Sequence, residues 1–207
     1  ADPTDTRVFS LGGLGTFQGT RVNGPTWGAD GIDTSPTNAH IEIPYNFLNG
    51  ANSVVGQTGS MLAALANFNT DFGVISNRGA SGNFWAFGTR NSDTQIYSVS
   101  NVTGGVNQIV TKGSLNTNNL QFAGFHMDGA ANVYRARWNG TNATNVTVSG
   151  GTVSSRTEFL IGMNDTTQSA LKCAICMIFD GTVLSDTQHD AVESLYKQTL
   201  GTGLGLP

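Results

Sequence analysis

The chain has 207 residues; 27 are glycine, 38% are hydrophobic, only 12% are charged, and the net charge is −4. Charged residues usually make up about 25% of a globular domain, so this is a low-charge, slightly acidic chain. That excludes the basic face that nucleic-acid phosphates select. No apolar run reaches the ~20 residues of a membrane-spanning helix, so membrane insertion is not expected. Disorder would need high net charge and few apolar groups, and neither is present.

What remains is a chain of short strands joined by tight turns, in a length that suits one all-β domain. Residues 1–26 form a Gly-rich arm in which Val8, Phe9, Leu11, Leu14 and Phe17 are apolar anchors without a period. It reads as an edge strand or as a segment docking on a partner. Ala1-Asp2-Pro3 fits loss of an initiator Met, a trimmed chain or a mature secreted chain, and no signal peptide is visible. The domain proper is expected over 27–200, with 201–207 as a tail.

A short strand is expected over 40–44, ended by Pro44. Residues 60–68 (SMLAALANF) conflict: Met, Leu and Ala favour helix, yet the segment also alternates as a strand does. A strand is expected there, with a short helix as the alternative. Further strands are expected over 72–76, 83–90, 95–100, 106–111, 120–127, 133–138 and 144–149, with Asp128-Gly129 as a turn. In 133–138, Arg135 and Arg137 share one face while Tyr134, Ala136 and Trp138 share the other.

The C-terminal third is the most explicit. Residues 159–163 read as a strand and 164–168 as a polar turn. Residues 171–179 are apolar almost without interruption, as in a strand covered on both faces. Ser185 and Gln188 fit the S-x-x-Q capping box that opens a helix. Val192, Leu195, Tyr196 and Leu200 then form an apolar stripe, Gly201 is the expected left-handed cap, and His189 is placed on the solvated side. Cys173 and Cys176 lie inside the apolar strand. Residues three apart in a strand point to opposite faces, and a zinc site would need two further ligands. Two buried, inert thiols with no disulfide are expected, which suits assembly in a reducing cytosol.

Leu160-Ile161-Gly162, then 175–179, then Leu184-Ser185-Asp186 resemble the C-terminal end of laminin-G-like jelly rolls in the concanavalin A-like lectin/glucanase superfamily. Ala29-Asp30-Gly31 followed by His40-Ile41-Glu42-Ile43-Pro44 resembles the family's opening strand. Residues 122–129 and 132–140 resemble its paired central strands and hairpin. The resemblance covers roughly 27–200 and rests on hydrophobic pattern and turn placement. It implies an all-β, concanavalin A-like jelly-roll β-sandwich: two antiparallel sheets with one short C-terminal helix.

Function is less constrained, because one fold hosts many activities. Glycosidases of this superfamily need a pair of carboxylates, and their E-x-D-x-x-E strand is missing here; Glu42, Glu158 and Glu193 are each isolated. His40, His126 and His189 stand outside the lyase pattern, His126 reading as half-buried and satisfied. No enzyme activity is expected. The resemblance implies Ca²⁺ in loops, and Asp30, Asp33, Asp128, Asn164 and Asp165 are loop residues of the right type, though turns use the same residues. Sugar binding needs an aromatic platform; Trp85, Tyr134 and Trp138 are candidates, with core packing as the alternative for each. Arg135 and Arg137 could contact anionic glycan, face solvent or meet a partner chain. Five N-x-[ST] sequons are what an Asn/Thr-rich chain produces by chance.

The reading that follows is a non-enzymatic virion structural protein. It would decorate a bacteriophage capsid or tail surface, with other virion proteins or its own copies as partners and cell-surface glycan as a ligand. The Gly-rich ending LYKQTLGTGLGLP resembles those of phage-encoded laminin-G-like proteins. The alternative is an extracellular carbohydrate-binding lectin module of a bacterial protein.

Overall fold

The structure is a computed structural model that describes residues 7–8, 19–29, 31–45, 58–67, 73–76, 84–90, 95–101, 108–112, 120–138, 140–142, 146–147, 158–164, 167–168, 170–199 and 203. Two antiparallel sheets stack face to face as a jelly-roll sandwich. The first runs, in spatial order, β1 (Arg7–Val8), β2 (Gly19–Val22), β5 (His40–Ile43), β15 (Phe159–Ile161), β7 (Gly73–Ser76), β8 (Phe84–Arg90), β9 (Gln95–Asn101) and β10 (Gln108–Lys112). The second runs β13 (Thr141–Asn142), β12 (Val133–Trp138), β11 (Gln121–Asp128), β6 (Gly59–Asn67), β18 (Leu171–Asp180), β4 (Gly31–Asp33) and β3 (Thr26–Gly28), with β14 (Val146–Thr147) also paired to β12. β16 (Met163–Asn164) and β17 (Thr167–Gln168) form a small separate ladder. Helix α1 (Asp186–Gln198) covers the outer face of the second sheet. Within the Gly-rich arm, β1 and β2 take the edge-strand role, pairing through β2 with β5.

Phe68 lies outside the described residues, and the rest of segment 60–68 resolves within strand β6 (Gly59–Asn67). Its intrinsic preference is overridden because β6 lies between β11 and β18, hydrogen-bonded to both. Met61, Ala63 and Leu65 face the inter-sheet core with Phe125 and Met127. Leu62 and Ala64 face outward, where Phe122, Leu184 and Tyr196 cover them. So this strand has an apolar layer on each side, which is why its sequence lacks a polar face.

The two cysteines depart from the expected geometry. A β-bulge shifts the β18 register between Cys173 and Ile175: Cys173 pairs with Leu65, while Ile175 pairs with Ala64 and Cys176 with Ala63. The extra residue resets the alternation. Cys173 and Cys176 therefore point to the same, inner face, not to opposite ones, and both pack on the inter-sheet core. Both are free thiols. Burial pushes Cys173 up to about 12 and Cys176 well above its ordinary value, so neither forms the reactive thiolate at neutral pH.

The strand expected to reach residue 163 stops at Ile161. Gly162 has φ +86°, and a Cβ there would lie 2.5 Å from Thr34 Cβ. Thr34 is itself fixed: its Oγ1 donates to Leu171 O and accepts the Leu171 N–H, each at 3.0 Å.

The capping box forms as the sequence implies. Ser185 is the N-cap, the Gln188 amide donates to Ser185 Oγ at 3.3 Å, and the Ser185 amide donates to Gln188 Oε1 at 2.9 Å. The far end differs from the expectation of Leu200 in the stripe and Gly201 as cap. The helix ends at Gln198, and Thr199 is the C-cap: its amide donates to Tyr196 O and its hydroxyl to Leu195 O. Leu200 and Gly201 lie outside the described residues.

Candidate functional site: the polar layer under the C-terminal helix

The apolar stripe expected on α1 is also different in kind. Leu195 is 63% exposed, and the buried positions are His189, Glu193 and Tyr196. These recur at helical spacing (i, i+4, i+7), so one helix face does meet the sheet. Two of its three buried residues are polar because the sheet beneath presents matching polar groups.

Strand register builds that match. On the outer face of the second sheet, Phe179, Ser60, His126 and Arg135 lie opposite one another across β18, β6, β11 and β12. The adjacent row is Met177, Leu62, Gly124 and Arg137. Gly124 leaves the space that His189 fills: a Cβ there would lie 2.6 Å from His189 Nδ1 and 3.0 Å from His126 Nε2.

A hydrogen-bonded chain runs through this layer. The Leu184 amide donates to Ser60 Oγ at 2.9 Å, Ser60 Oγ lies 2.9 Å from His126 Nδ1, and His126 Nε2 lies 3.1 Å from His189 Nδ1. His189 Nε2 faces Glu193 Oε2 at 3.4 Å, and Lys197 Nζ holds Glu193 Oε1 at 2.7 Å. The 3.4 Å step is long for a hydrogen bond, so attraction to the carboxylate rather than a well-formed bond carries it. Burial, reinforced by His189, lowers His126 to about 3 and keeps its ring neutral. With His126 neutral, one arrangement satisfies the chain in a single direction. Ser60 donates to His126 Nδ1, His126 Nε2–H to His189 Nδ1, and His189 Nε2–H points at Glu193.

Beside this chain, Arg137 Nε and Nη2 grip both oxygens of Asp190 at 2.8 and 2.5 Å, and its Nη1 donates to Asn142 Oδ1 at 3.1 Å. Asn142 Nδ2 donates to Asp186 Oδ2 at 2.6 Å. Arg135 meets Asp186 Oδ1 at 2.7 Å and Leu184 O at 3.0 Å. The hydrogen bond from Arg137 holds the Asp190 carboxyl below the usual range. Burial would raise Glu193, but the attraction of His189 and Lys197 outweighs it and the net shift is downward.

The order hydroxyl, imidazole, imidazole, carboxylate imitates a nucleophile and its base. Ser60, however, is fully buried, and its oxygen already accepts the Leu184 amide. Among the described residues, Glu42, Glu193, Asp186 and Asp190 are not arranged as a glycosidase pair. Glu42 lies on the outer face of the first sheet and Glu193 outside the second, so the sandwich separates them. Asp186 and Asp190 are close, but Arg137 binds both, whereas a general acid needs a raised pKa. His189, Asp190 and Glu193 place ligand atoms within 4.8 Å of one another. Arg137 and Lys197 hold the two carboxylates, which makes this an internal ion-pair cluster.

The residues singled out from sequence are placed as follows. Arg135 and Arg137 are together, under α1 rather than facing solvent. His189, expected to be solvated, is fully buried, and His126 is 1% exposed rather than half-buried. Asp33 Oδ1 accepts the Ser35 amide at 2.7 Å; Asp128 Oδ1 accepts the Ala130 and Ala131 amides at 3.0 and 3.1 Å. Both act as turn formers. Through β6 they lie at opposite ends of the second sheet, roughly 26 Å apart along the strand direction at the rise of a strand, so one ion cannot use both. Trp85, Tyr134, Trp138 and Asn164 sit on strands β8, β12 and β16, but their side chains, like Asp30 and Asp165 entirely, lie outside the described residues. Sequence reasoning missed Ser60, Asn142, Asp186, Asp190 and Lys197. The available signal was two arginines at alternate strand positions together with two aspartates at i, i+4 on the following helix.

The strand order and the stacking of the two antiparallel sheets define a jelly-roll β-sandwich. Among solved structures the chain is similar to the CBM40 domain of the Ruminococcus gnavus IT-sialidase bound to α2,3-sialyllactose, with TM-score 0.52 and 12% identity over 67% of this chain and 84% of that one. It is also similar to the heptameric SAP-like pentraxin of Limulus polyphemus, with TM-score 0.54 and 11% identity over 81% and 78%. A third is a botulinum neurotoxin type C structure, whose cell entry depends on two ganglioside molecules. There the TM-score is 0.66 with 9% identity, and 92% of this chain matches 51% of that one. No protein-family model matches the sequence, and no curated protein does. At these identities the likeness shows the fold, and no residue role carries across.

Proposed function

We propose that this chain is a non-enzymatic recognition module that binds cell-surface glycan. One observation carries the reading: the sandwich matches most of this chain to domains whose own ligands are sugars, sialyllactose in one case and gangliosides in another. The surroundings of the described acids agree with attachment rather than bond-breaking. Trp85, Tyr134 and Trp138 are the candidates for the platform, because an aromatic ring packs on the apolar CH face of a sugar; Tyr134 and Trp138 share the strand face of core Ala136, so core packing is the competing outcome of the test. Arg135 and Arg137 have a separate job, since their donors are taken by Asp186 and Asp190 of α1, by Leu184 and by Asn142. A glycan array probed with the native chain and with Trp85→Ala and Trp138→Ala tests this. Binding by the native chain, reduced at least tenfold in one variant that keeps its circular-dichroism spectrum, is expected. Absence of binding to every glycan sinks it.

A virion-surface setting is the second reading, and two free thiols, Cys173 buried and Cys176 half-buried, favour it. A sandwich that carries a C-x-x-C without a disulfide suits assembly in a reducing cytosol more than secretion. On this reading the module decorates a capsid or tail and contacts other virion proteins or its own copies. Neighbouring genes for capsid and tail proteins are the expected context. Neighbours encoding polysaccharide-degrading enzymes would instead place it as a secreted lectin.

A further inference from the structure

Helix α1 is held to the second sheet by an unusual contact. Where a surface helix ordinarily seats an apolar residue, two imidazoles meet ring to ring, with centroids 5.2 Å apart and neither open to water. His126 faces Ser60 of β6 and His189 of α1, with Arg135 and Arg137 of β12 beside it and Asp186 of α1 beyond. His189 faces His126 and Gly124 of β11, the edge of Phe122, and Glu193 on its own helix. Phe179 of β18 closes the row. The facing nitrogens are 3.1 Å apart, which leaves room for one hydrogen between them. Closed, the pair can hold one extra proton at most. If both rings were imidazolium, two N–H groups would point at each other, with two arginines alongside. Lifted into water, each ring accepts its proton freely.

We propose that α1 is an acid-released latch, which lifts from the second sheet in mildly acid solution as the His126–His189 pair takes up protons that the closed form has no room for. Below an ordinary histidine value of about 6.5, each pH unit favours the lifted form about tenfold per extra proton. The pairs Arg135–Asp186 and Arg137–Asp190 tie α1 to β12 and oppose release, whereas Lys197–Glu193 lies within the helix and moves with it. The Asp186 and Asp190 side chains are 41% and 48% exposed, and ion pairs in water hold weakly. The imidazole pair, which is shut off from solvent, therefore sets the threshold. Release uncovers Leu62, Ala64 and Phe122, an apolar strip that the closed form hides.

Hydrogen–deuterium exchange at pH 7 and pH 5, corrected for the intrinsic pH dependence of exchange, tests the latch. Protection of amides 186–198 is expected to fall about thirtyfold, the factor for one proton over 1.5 pH units, and to lie below that of amides 59–67 and 121–128, which exchange only when the whole fold opens, at both pH values. In a His126→Phe/His189→Phe double variant the helix should show no such fall. Should that variant fail to fold, imidazole ¹⁵N shifts of the native chain decide. Both rings are expected to become charged over the same pH range in which the helix amides lose protection. Unchanged helix protection in the native chain, helix amides as well protected as the strands at pH 5, an equal loss in the double variant, or rings that charge with the helix still protected each overturn the proposal.

Discussion

At Gly124 a single methyl group measures how tightly α1 is seated. The backbone there is ordinary strand, so alanine is conformationally acceptable; the obstacle is the His189 ring, 2.6 Å from the new carbon at Nδ1. Neither ring can retreat, since each is pinned at a second atom, His126 by Ser60 and His189 against Glu193. Gly124→Ala should cost about 1–3 kcal/mol, the range for overpacking a filled interior. The cost should appear as a lower urea midpoint together with weakened protection of the helix amides. A glycine chosen only for turn or strand geometry would show no change in the helix. Nothing in the sequence distinguishes this glycine from the other 26. Its meaning comes from a residue 65 positions later, and only the register of β11 against β6 and β12 brings the two together.

The helix as an element was largely readable, and its buried face only in part: Val192 and Tyr196 pack on the sheet as the stripe implies, Leu195 does not. Ser185 and Gln188 announced the start, and both arms of the box are present. Ser185→Ala removes an acceptor for an otherwise orphaned amide, so a loss of about 1 kcal/mol is expected by thermal or urea unfolding. A Ser185→Asp variant should retain most of the stability. The strands were readable for the same reason: period-two alternation and turn residues are local signals, and segments 84–90, 121–128 and 133–138 lie where that alternation put them. Two kinds of information were not local. The bulge in β18 inserts one residue with no marking in the apolar run, and it reverses the faces of everything after Cys173. The inward face of α1 was assigned by counting apolar residues, which put Leu195 inside and His189 outside. Polar side chains can take the buried face when the opposing surface satisfies them. His126, Arg135 and Arg137 on two other strands are what make His189 and Glu193 the inner pair.

For the molecule as a whole, these buried groups shape the dependence of stability on pH, and the signs can be worked through. His126 is held near 3 in the fold, against about 6.5 in an unfolded chain. Between those values the unfolded chain binds one more proton than the native one. Stability therefore falls as pH drops below about 6.5, with a slope of up to about 1.4 kcal/mol per pH unit for that proton. Asp190 and Glu193 shift the other way from free carboxyls, both downward. Their contribution is complete above about pH 4 and is lost as pH falls through their lower native values, so it steepens the same acid limb. On the alkaline side Cys173 and Tyr45, each raised to about 12 mainly by burial, keep their protons in the fold after the unfolded chain has released them. Stability accordingly declines once pH exceeds the ordinary thiol value of about 8.5. Urea midpoints should thus reach a maximum near pH 7–8 and fall toward both pH 5 and pH 10. In His126→Gln the fall between pH 6.5 and 5 should flatten, because the titrating group is gone, while the alkaline limb keeps its slope. An acid limb equally steep in that variant would show that the cost of burying His126 as a neutral ring is not what limits the acid stability of this fold.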